Sequence, residues 1–321
     1  MSKGWTVQDM PPQDGRRAII TGGNSGLGYE TAVELARHGA SVVIACRSQA
    51  KGQQAVVSLA KQVPGARVEL ASLDLASLSS VRSFADAELA NPEPLDLLIS
   101  NAGIMAPPAR RETQDGFELQ FGTNVLGHFA LTGLLLPKLQ ARAATADLLQ
   151  GEHLLPRIVY LASIAHKRGK LHFNDLQATA RYSPMGSYQQ SKLADLMLAF
   201  ELDRRLRASG STVQSIAAHP GVASTNLFLN DDHRGLERRV RVFMGHLMDR
   251  FLNSVPQGAI PILFAATAPT AQPGGYYGPQ GFQEMRGGDS GPAKVAPPAR
   301  IATDAARLWA VCQDLTGVRY L

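Results

Sequence analysis

Short apolar runs alternate with longer segments of helical period along nearly the whole chain, and this alternation restricts the fold more than any other feature of its 321 residues. Arg17 to Thr21, Ser41 to Cys46, Arg67 to Leu70, Leu95 to Ser100, Arg157 to Ser163 and Val213 to Ala217 are too short for helices and read as strands. A short seventh strand is placed at Gly275 to Tyr277. Helices are expected over Gly26 to His38, ended by Gly39, and over Gln49 to Gln62, Leu78 to Leu89, Gly116 to Ala141, Ser187 to Ala208 and Pro256 to Ala268. Such alternation implies right-handed crossovers and a parallel sheet covered on both faces. The expected fold class is therefore α/β: a single doubly wound domain of about seven mostly parallel strands with helices on both faces. No break in composition marks a linker, and no internal repeat is present. Two stretches interrupt the rhythm, a mostly polar excursion over 141–156 and a long insertion over 222–254 after the sixth strand.

The net charge is +5 and the pI about 9.3. Arg and Lys are scattered, with no run of like charge longer than a pair, which suits a solvated surface and an anionic ligand and not a nucleic-acid groove. The two cysteines, Cys46 and Cys312, belong to no Cys/His cluster at metal spacing, so neither a metal site nor a disulfide framework is expected. Residues 1–17 are polar and contain proline, with no apolar core for a signal peptide, and no later stretch is long and apolar enough to span a bilayer. A cytoplasmic, reduced enzyme is the expectation.

Two motifs carry chemistry. The first, Thr21-Gly22-Gly23-Asn24-Ser25-Gly26-Leu27-Gly28, lies between a strand and a helix. Glycines let the backbone approach a pyrophosphate, and a helix N-terminus offers free N–H groups and a partial positive charge. The second is Tyr188-Gln189-Gln190-Ser191-Lys192. A helical spacing of four puts the phenol and the ammonium on one face, and a nearby positive charge favours phenolate over phenol. Free tyrosine, with a pKa of about 10, needs such help to trade protons near neutral pH. Each motif alone is a weak signal. In this order they point to a nicotinamide cofactor held by the first half of the chain and used by the second.

With these residues the chain resembles the short-chain dehydrogenase/reductase family, whose glycine loop reads T-G-x-x-x-G-x-G, and the other landmarks follow in order across nearly the whole sequence. The resemblance implies a Rossmann-type fold with the cofactor contacted by Gly22, Asn24, Ser25, Gly26, Leu27 and Gly28. Asp74-Leu75 resembles the pair that contacts adenine, and Asn101-Ala102-Gly103 the N-A-G after the fourth strand. Asn124, in Thr123-Asn124-Val125-Leu126-Gly127-His128, matches the catalytic Asn, and Ser163 the catalytic Ser. Tyr188 and Lys192 complete the tetrad and also adjoin the cofactor. His219-Pro220-Gly221-Val222 followed by Thr225 resembles the segment that holds the nicotinamide, so Pro220, Gly221, Val222 and Thr225 join the expected cofactor contacts. Ser191-Lys192-Leu193-Ala194, His219-Pro220-Gly221, Leu308-Trp309 and Leu315-Thr316-Gly317 are most similar to the retinol-dehydrogenase-like branch. On this pattern residues 1–15 are an N-terminal extension, 16–221 the cofactor-binding and catalytic core, 222–254 a substrate lid and 255–321 a C-terminal helix and tail.

The resemblance implies an oxidoreductase in which Tyr188 donates a proton to a carbonyl oxygen while a hydride arrives from the nicotinamide. Lys192 would acidify Tyr188 and bond the nicotinamide ribose, Ser163 would donate to the developing oxyanion, and Asn124 would hold a relay water. Cofactor choice rests on the residue after the second strand, where an NAD enzyme places Asp or Glu. Here the strand ends Ala45-Cys46-Arg47-Ser48. Arg47 can stack on adenine and pair with a 2′-phosphate in a forked geometry, and Ser48 can add a hydroxyl. NADP(H) is the expected cofactor.

Leu236, Val240, Phe243, Met244, Leu247, Met248 and Phe251 recur at helical spacing, with Arg238, Arg239, Arg241 and Arg250 mainly off that stripe. Three readings stay open: a lid helix packed on the body, a lid that also lines an apolar substrate pocket, and a basic amphipathic helix at a membrane surface. Met105, His166, Phe173, Tyr182, Met185, Leu227 and Phe228 are further candidates for the pocket rim, although core packing accounts for each as well. The expected substrate is a lipophilic aldehyde or ketone, or its alcohol. Two other functions compete. A C=C reductase of the protochlorophyllide-reductase type would need a large pigment site. A non-catalytic NADP(H)-sensing protein would have no use for the Asn124, Ser163, Tyr188 and Lys192 set. A homodimer through the two long helices is a family expectation, although the branch also contains monomers.

Overall fold

Every residue of β1 (Arg17–Thr21) and all but the first of β2 (Ser41–Cys46) are buried, as befits strands covered on both faces. The computed structural model describes residues 4–145, 154–222 and 253–321. Within them β1 and β2 join β3 (Val68–Ser72), β4 (Leu97–Ser100), β5 (Arg157–Leu161), β6 (Gln214–Ala218), β7 (Tyr276–Pro279) and β8 (Ser290–Pro292) in one sheet of order β3-β2-β1-β4-β5-β6-β7-β8. The first seven strands run parallel and β8 pairs antiparallel with β7. The doubly wound α/β fold is thus present, with one strand more than the sequence pattern marks. β8 is only Ser-Gly-Pro, with no apolar run to announce it, and pairing with β7 makes it a strand.

The helices are α1 (Gly26–Arg37), α2 (Gln49–Gln62), α3 (Leu78–Ala90), α4 (Gly127–Ala144), α5 (Pro184–Ala208), α6 (Val255–Thr267) and α7 (Ala302–Thr316). Successive strand residues point to opposite faces, so the sheet divides the interior into two cores. Ile19, Val43, Leu98 and Ile158 pack with Phe84, Phe129, Leu196 and Trp309 of α3, α4, α5 and α7. Ile20, Ile44, Ile99 and Val159 pack with Leu35, Leu59, Ile262 and Leu263 of α1, α2 and α6. Each fully buried side chain of this size contributes about 1.5–3 kcal/mol relative to exposure.

Several boundaries differ from expectation, three of them for local reasons. No helix starts at Gly116, which has φ 83° and closes a turn to the Thr113 carbonyl at 3.1 Å. The turns that follow are also not uniformly α-helical. Phe121–Leu126 forms a π turn in which the Gly127 N–H reaches back to the Gly122 carbonyl. α5 starts at Pro184 and not at Ser187, because Ser183 caps it and proline is tolerated in a first turn. β5 ends at Leu161, and Ser163 instead opens a short 3₁₀ turn, Ile164–Arg168.

α7 and the tail behind it cover α4 and α5. Trp309 meets Phe129 edge-on at 5.0 Å, and the Arg205 guanidinium lies 4.6 Å over the Trp309 ring. Gly133 permits the tail to lie close, since a Cβ there would stand 2.3 Å from the Tyr320 ring. α5 is buried without a break from Gln190 to Ala199, so this stretch has no apolar stripe left to present to another molecule. The insertion lies outside the described residues over 223–252, and with it Thr225, Leu227, Phe228 and the stripe from Leu236 to Phe251.

Candidate active site

The strand order reverses between β1 and β4, and in such sheets ligands bind in the crevice beyond the carboxyl ends at that point. A cleft of about 350 Å³ opens there. Of the expected cofactor residues, Gly22, Asn24, Ser25, Gly26, Leu27, Arg47, Asp74, Leu75, Asn101, Ala102 and Gly103 line it. Thr21, Ala45, Cys46, Leu73, Ala76, Ile104, Met105, Thr123 and Leu161 line it too. Most of this second group sit at or just past strand ends, so the crevice rule applied to every strand would have found them.

The start of α1 shows what the cleft can hold. α2, α3, α5 and α6 each begin after a serine whose hydroxyl accepts a first-turn N–H: Ser48 from Lys51, Ser77 from Ser80, Ser183 from Gly186 and Ser254 from Gln257. Ser25 has the same place before α1 and makes no such bond. The first-turn N–H groups of α1 therefore remain available to an anion in the cleft, helped by the helix dipole. Gly26, at φ 56°, has open space within 4 Å of where a Cβ would stand. Gly28 is different. A Cβ there would sit 2.4 Å from Asn101 Nδ2 and 2.7 Å from the Gly22 carbonyl, so Gly28 lets α1 close on the loop and does not itself face the cleft. This cradle fits the pyrophosphate of a dinucleotide. Arg47 is exposed on the cleft wall and makes no ion pair among the described residues. Ser48 is not on that wall and its oxygen caps α2.

A buried chain of hydrogen bonds runs from the glycine loop to Asn124. Thr21 Oγ1 accepts from the N–H groups of Asn101 (2.9 Å) and Ala102 (3.0 Å) and lies 2.9 Å from His128 Nε2. His128 Nδ1 lies 2.8 Å from the Asn124 carbonyl, which can only accept, so the neutral ring carries its proton on Nδ1 and takes the Thr21 hydroxyl proton on Nε2. Burial pushes the His128 pKa down to about 4, with the Asn124 carbonyl opposing and the Lys192 charge adding. Neither Thr21 nor His128 stands out as a site residue in the sequence, because their pairing spans 107 positions.

Asn124 sits in the π turn, a distortion common at functional sites. Its Oδ1 accepts from the Ile104 N–H at 2.8 Å, and its Nδ2 donates to the Ile104 carbonyl (3.0 Å) and to Ser191 Oγ (2.9 Å). Both amide protons are used, so a relay water would have to bond an oxygen of this residue. Ser191 in turn donates to the Tyr188 carbonyl at 2.9 Å, which ties the Asn124 turn to the helix that carries Tyr188 and Lys192. Ser163 Oγ accepts from the Ala165 N–H at 3.2 Å, leaving its own hydroxyl hydrogen free to donate.

Tyr188 is half-buried and its hydroxyl makes no hydrogen bond among the described residues. Lys192 is buried, one turn along. Its Nζ donates to the carbonyl of Leu161, a cleft-wall residue, at 2.8 Å and to Asp195 Oδ2 at 2.9 Å. Burial works against the charge on Lys192, yet Asp195 and Tyr188 together raise its pKa above the ordinary value.

Some expected positions fall elsewhere. Pro220, Gly221 and Val222 are not on the cleft wall. They are held by hydrogen bonds from Val222 N–H to the Met285 carbonyl at 2.8 Å and from Asn253 Nδ2 to the Pro220 carbonyl at 2.9 Å. His166 is an anchor under Ser163 and not a rim residue. It is fully buried, with Nδ1 2.6 Å from the Ser163 carbonyl and Nε2 accepting from the Ala296 N–H at 3.2 Å. Phe173 packs on the α4–α5 core beneath the Arg307 guanidinium, 4.2 Å from its ring. Met105 does line the cleft.

The model of the short chain dehydrogenase family matches residues 16–234. Polyprenol dehydrogenase of Mus musculus is 41% identical over 310 residues, covering 96% of this chain and 86% of that protein. Retinol dehydrogenase 12 of Mus musculus is 38% identical over 308 residues, covering 95% and 88%. A solved structure of an uncharacterized protein from Mycobacterium paratuberculosis shares 39% identity with a TM-score of 0.76, covering 99% of this chain and 100% of that one. L-sorbose reductase from Gluconobacter frateurii, solved with NADPH and L-sorbose, shares the fold at 21% identity and a TM-score of 0.61, covering 84% and 95%. The chain belongs to the short-chain dehydrogenase/reductase family, oxidoreductases that interconvert alcohols and carbonyl compounds with a nicotinamide dinucleotide. Within it, the chain falls in the retinol-dehydrogenase-like branch. No helix among the described residues is long and apolar enough to cross a membrane.

Proposed function

We propose that the protein is an NADP(H)-dependent oxidoreductase interconverting a lipophilic aldehyde or ketone and its alcohol, with Asn124, Ser163, Tyr188 and Lys192 as its working set. The observation that carries this reading is the placement of Lys192. Its buried charge bonds a residue of the cleft wall and sits one helical turn from a tyrosine whose hydroxyl is unengaged among the described residues. When bound, the cofactor supplies or takes the hydride. The N–H groups at the start of α1 and the Gly22 turn would hold its pyrophosphate, Asp74 and Leu75 its adenine, and Asn101, Ala102 and Gly103 its middle. Pro220, Gly221, Val222 and Thr225 would close on its nicotinamide end. In reduction, Ser163 donates its free hydrogen to the carbonyl oxygen, and Tyr188 delivers a proton to the same atom. Lys192 turns its remaining N–H toward that site and stabilises the phenolate left behind. The relatives named for retinol and polyprenol, alcohols with long apolar bodies, support a lipophilic substrate. A panel of apolar aldehydes and ketones followed by loss of reduced-nicotinamide absorbance tests the function. NADPH-dependent turnover of several members is expected, and no turnover across the panel would refute it.

Arg47 is proposed to select NADP(H) through the 2′-phosphate. A charge-assisted hydrogen bond is worth about 1.5–3 kcal/mol, so Arg47→Ala should lower kcat/KM for NADPH about 10- to 100-fold and leave that for NADH nearly unchanged. An unsubstituted protein equally efficient with NADH, or a variant that keeps its preference, would remove this assignment.

Association through α4 and α5 would require α7 to leave the surface it covers. A monomer is therefore proposed at micromolar concentration. Size-exclusion chromatography with light scattering checks it, and a dimer lost on truncation of neither α7 nor the tail would show that another face is used.

A further inference from the structure

An ammonium has three N–H groups. In Lys192 the Leu161 carbonyl takes one and Asp195 a second, which leaves one for the reaction site. Asp195 stands three residues along α5 and is only 3% exposed. Its other oxygen, Oδ1, is buried with no hydrogen-bond partner among the described residues. A half-satisfied buried carboxylate is costly unless a charge beside it compensates, and Lys192 is its ion-pair partner. Among the described residues Lys192 is the one charge that acts on Asp195. Tyr160 of β5 and Cys312 of α7 feel Asp195, and burial pushes both their pKa values up, away from ionisation. His128 of α4 feels Lys192 and is neutral. Tyr188, on α5 itself, completes the set.

We propose that Asp195 is a positioning residue, a built-in counter-ion that keeps the Lys192 amine charged where burial would otherwise neutralise it and fixes the one N–H that the amine offers to the reaction. The proposal rests on the Tyr188–Lys192 chemistry inferred above. Desolvation is the largest force against the Lys192 charge, and the Asp195 carboxylate is the first to oppose it, ahead of Tyr188. Burial pushes the Asp195 carboxyl itself up to about 6 against the pull of Lys192. At lower pH the carboxyl takes a proton, but the amine there is charged in any case. The counter-ion matters on the alkaline side, where an unpaired buried amine sheds its proton.

The test compares Asp195→Asn, Asp195→Glu and Tyr188→Phe with the unsubstituted protein in NADPH-dependent reduction of an apolar aldehyde, from about pH 6 to about pH 9. For Asp195→Asn, kcat should fall about tenfold or more at about pH 9 and return to within about threefold at about pH 6. Asp195→Glu restores the charge and should show the same ratio to the unsubstituted protein at every pH. An equal loss at all pH values in the Asn variant would mean a merely structural role, and no loss would mean that Lys192 needs no counter-ion; either overturns the proposal. If the Asn variant does not fold, a nitrogen-15 NMR titration of labelled lysines in the unsubstituted protein decides. Lys192 should stay an ammonium to above about pH 10, and loss of its charge near pH 8 or below overturns the proposal. An unsubstituted protein without turnover, or Tyr188→Phe with full turnover, would instead refute the proposed function, and the counter-ion would then stand or fall on the NMR titration.

Discussion

Tyr188→Phe is expected to cut turnover by about 10³-fold while NADPH binding changes little. A positioned general acid contributes about 10²–10⁴-fold, and no other hydroxyl takes its place on this helix face. Ser191, one turn along α5, is already bonded to the Tyr188 carbonyl and to Asn124. The Tyr188 hydroxyl makes no hydrogen bond among the described residues, so removing it leaves no buried partner stranded and should not disturb the fold. The measurements are kcat with a responsive aldehyde and NADPH affinity by fluorescence titration. A variant that keeps about a tenth of normal turnover would show that the proton comes from elsewhere. Loss of cofactor binding in parallel would show that Tyr188 is part of the binding surface instead.

Ser163→Ala should lower kcat by about 10²–10³-fold, the usual cost of losing one donor to an oxyanion. Its second effect is separable. The Ser163 oxygen also caps the 3₁₀ turn through the Ala165 N–H, and loss of a cap costs about 1 kcal/mol. A small fall in melting temperature should therefore accompany a large fall in rate, with KM for the aldehyde nearly unchanged, because the donor matters most as charge develops on oxygen. A change confined to melting temperature would reduce Ser163 to a turn residue. The anchor beneath it sharpens the contrast. His166 holds the Ser163 carbonyl and is lowered in pKa, chiefly by burial, so it keeps the turn in place without supplying a proton.

The legible part of the site was the part set by local chain geometry. The glycine loop and Arg47 each follow a strand, as do Asn101-Ala102-Gly103 and Asp74-Leu75, which the family resemblance singles out, and parallel strands deliver their carboxyl ends to one crevice. Tyr188 and Lys192 share a helix face by spacing alone. The π turn at Phe121–Leu126 was not legible, because an Asn in a run of helical period gives no sign that its amide will be claimed by Ile104 and Ser191. His166 lies near Ser163 in the sequence, yet its partners Ala296 and Tyr276 come from far along the chain.

Spacing and residue type by themselves determined the order of strands and helices, the anion cradle and the phenol–amine pair, since each depends on neighbours within a few positions. The packing of distant elements decided what surrounds that pair. β5 and α7 bury Asp195 against Lys192, α4 joins Thr21 to Asn124 through His128, and the C-terminal helix seals the outer side of α5. A carboxylate three residues beyond a lysine has the same spacing whether it faces water or the interior. Only the removal of water turns it into a counter-ion with consequences for the chemistry, and that removal is a property of the assembled fold.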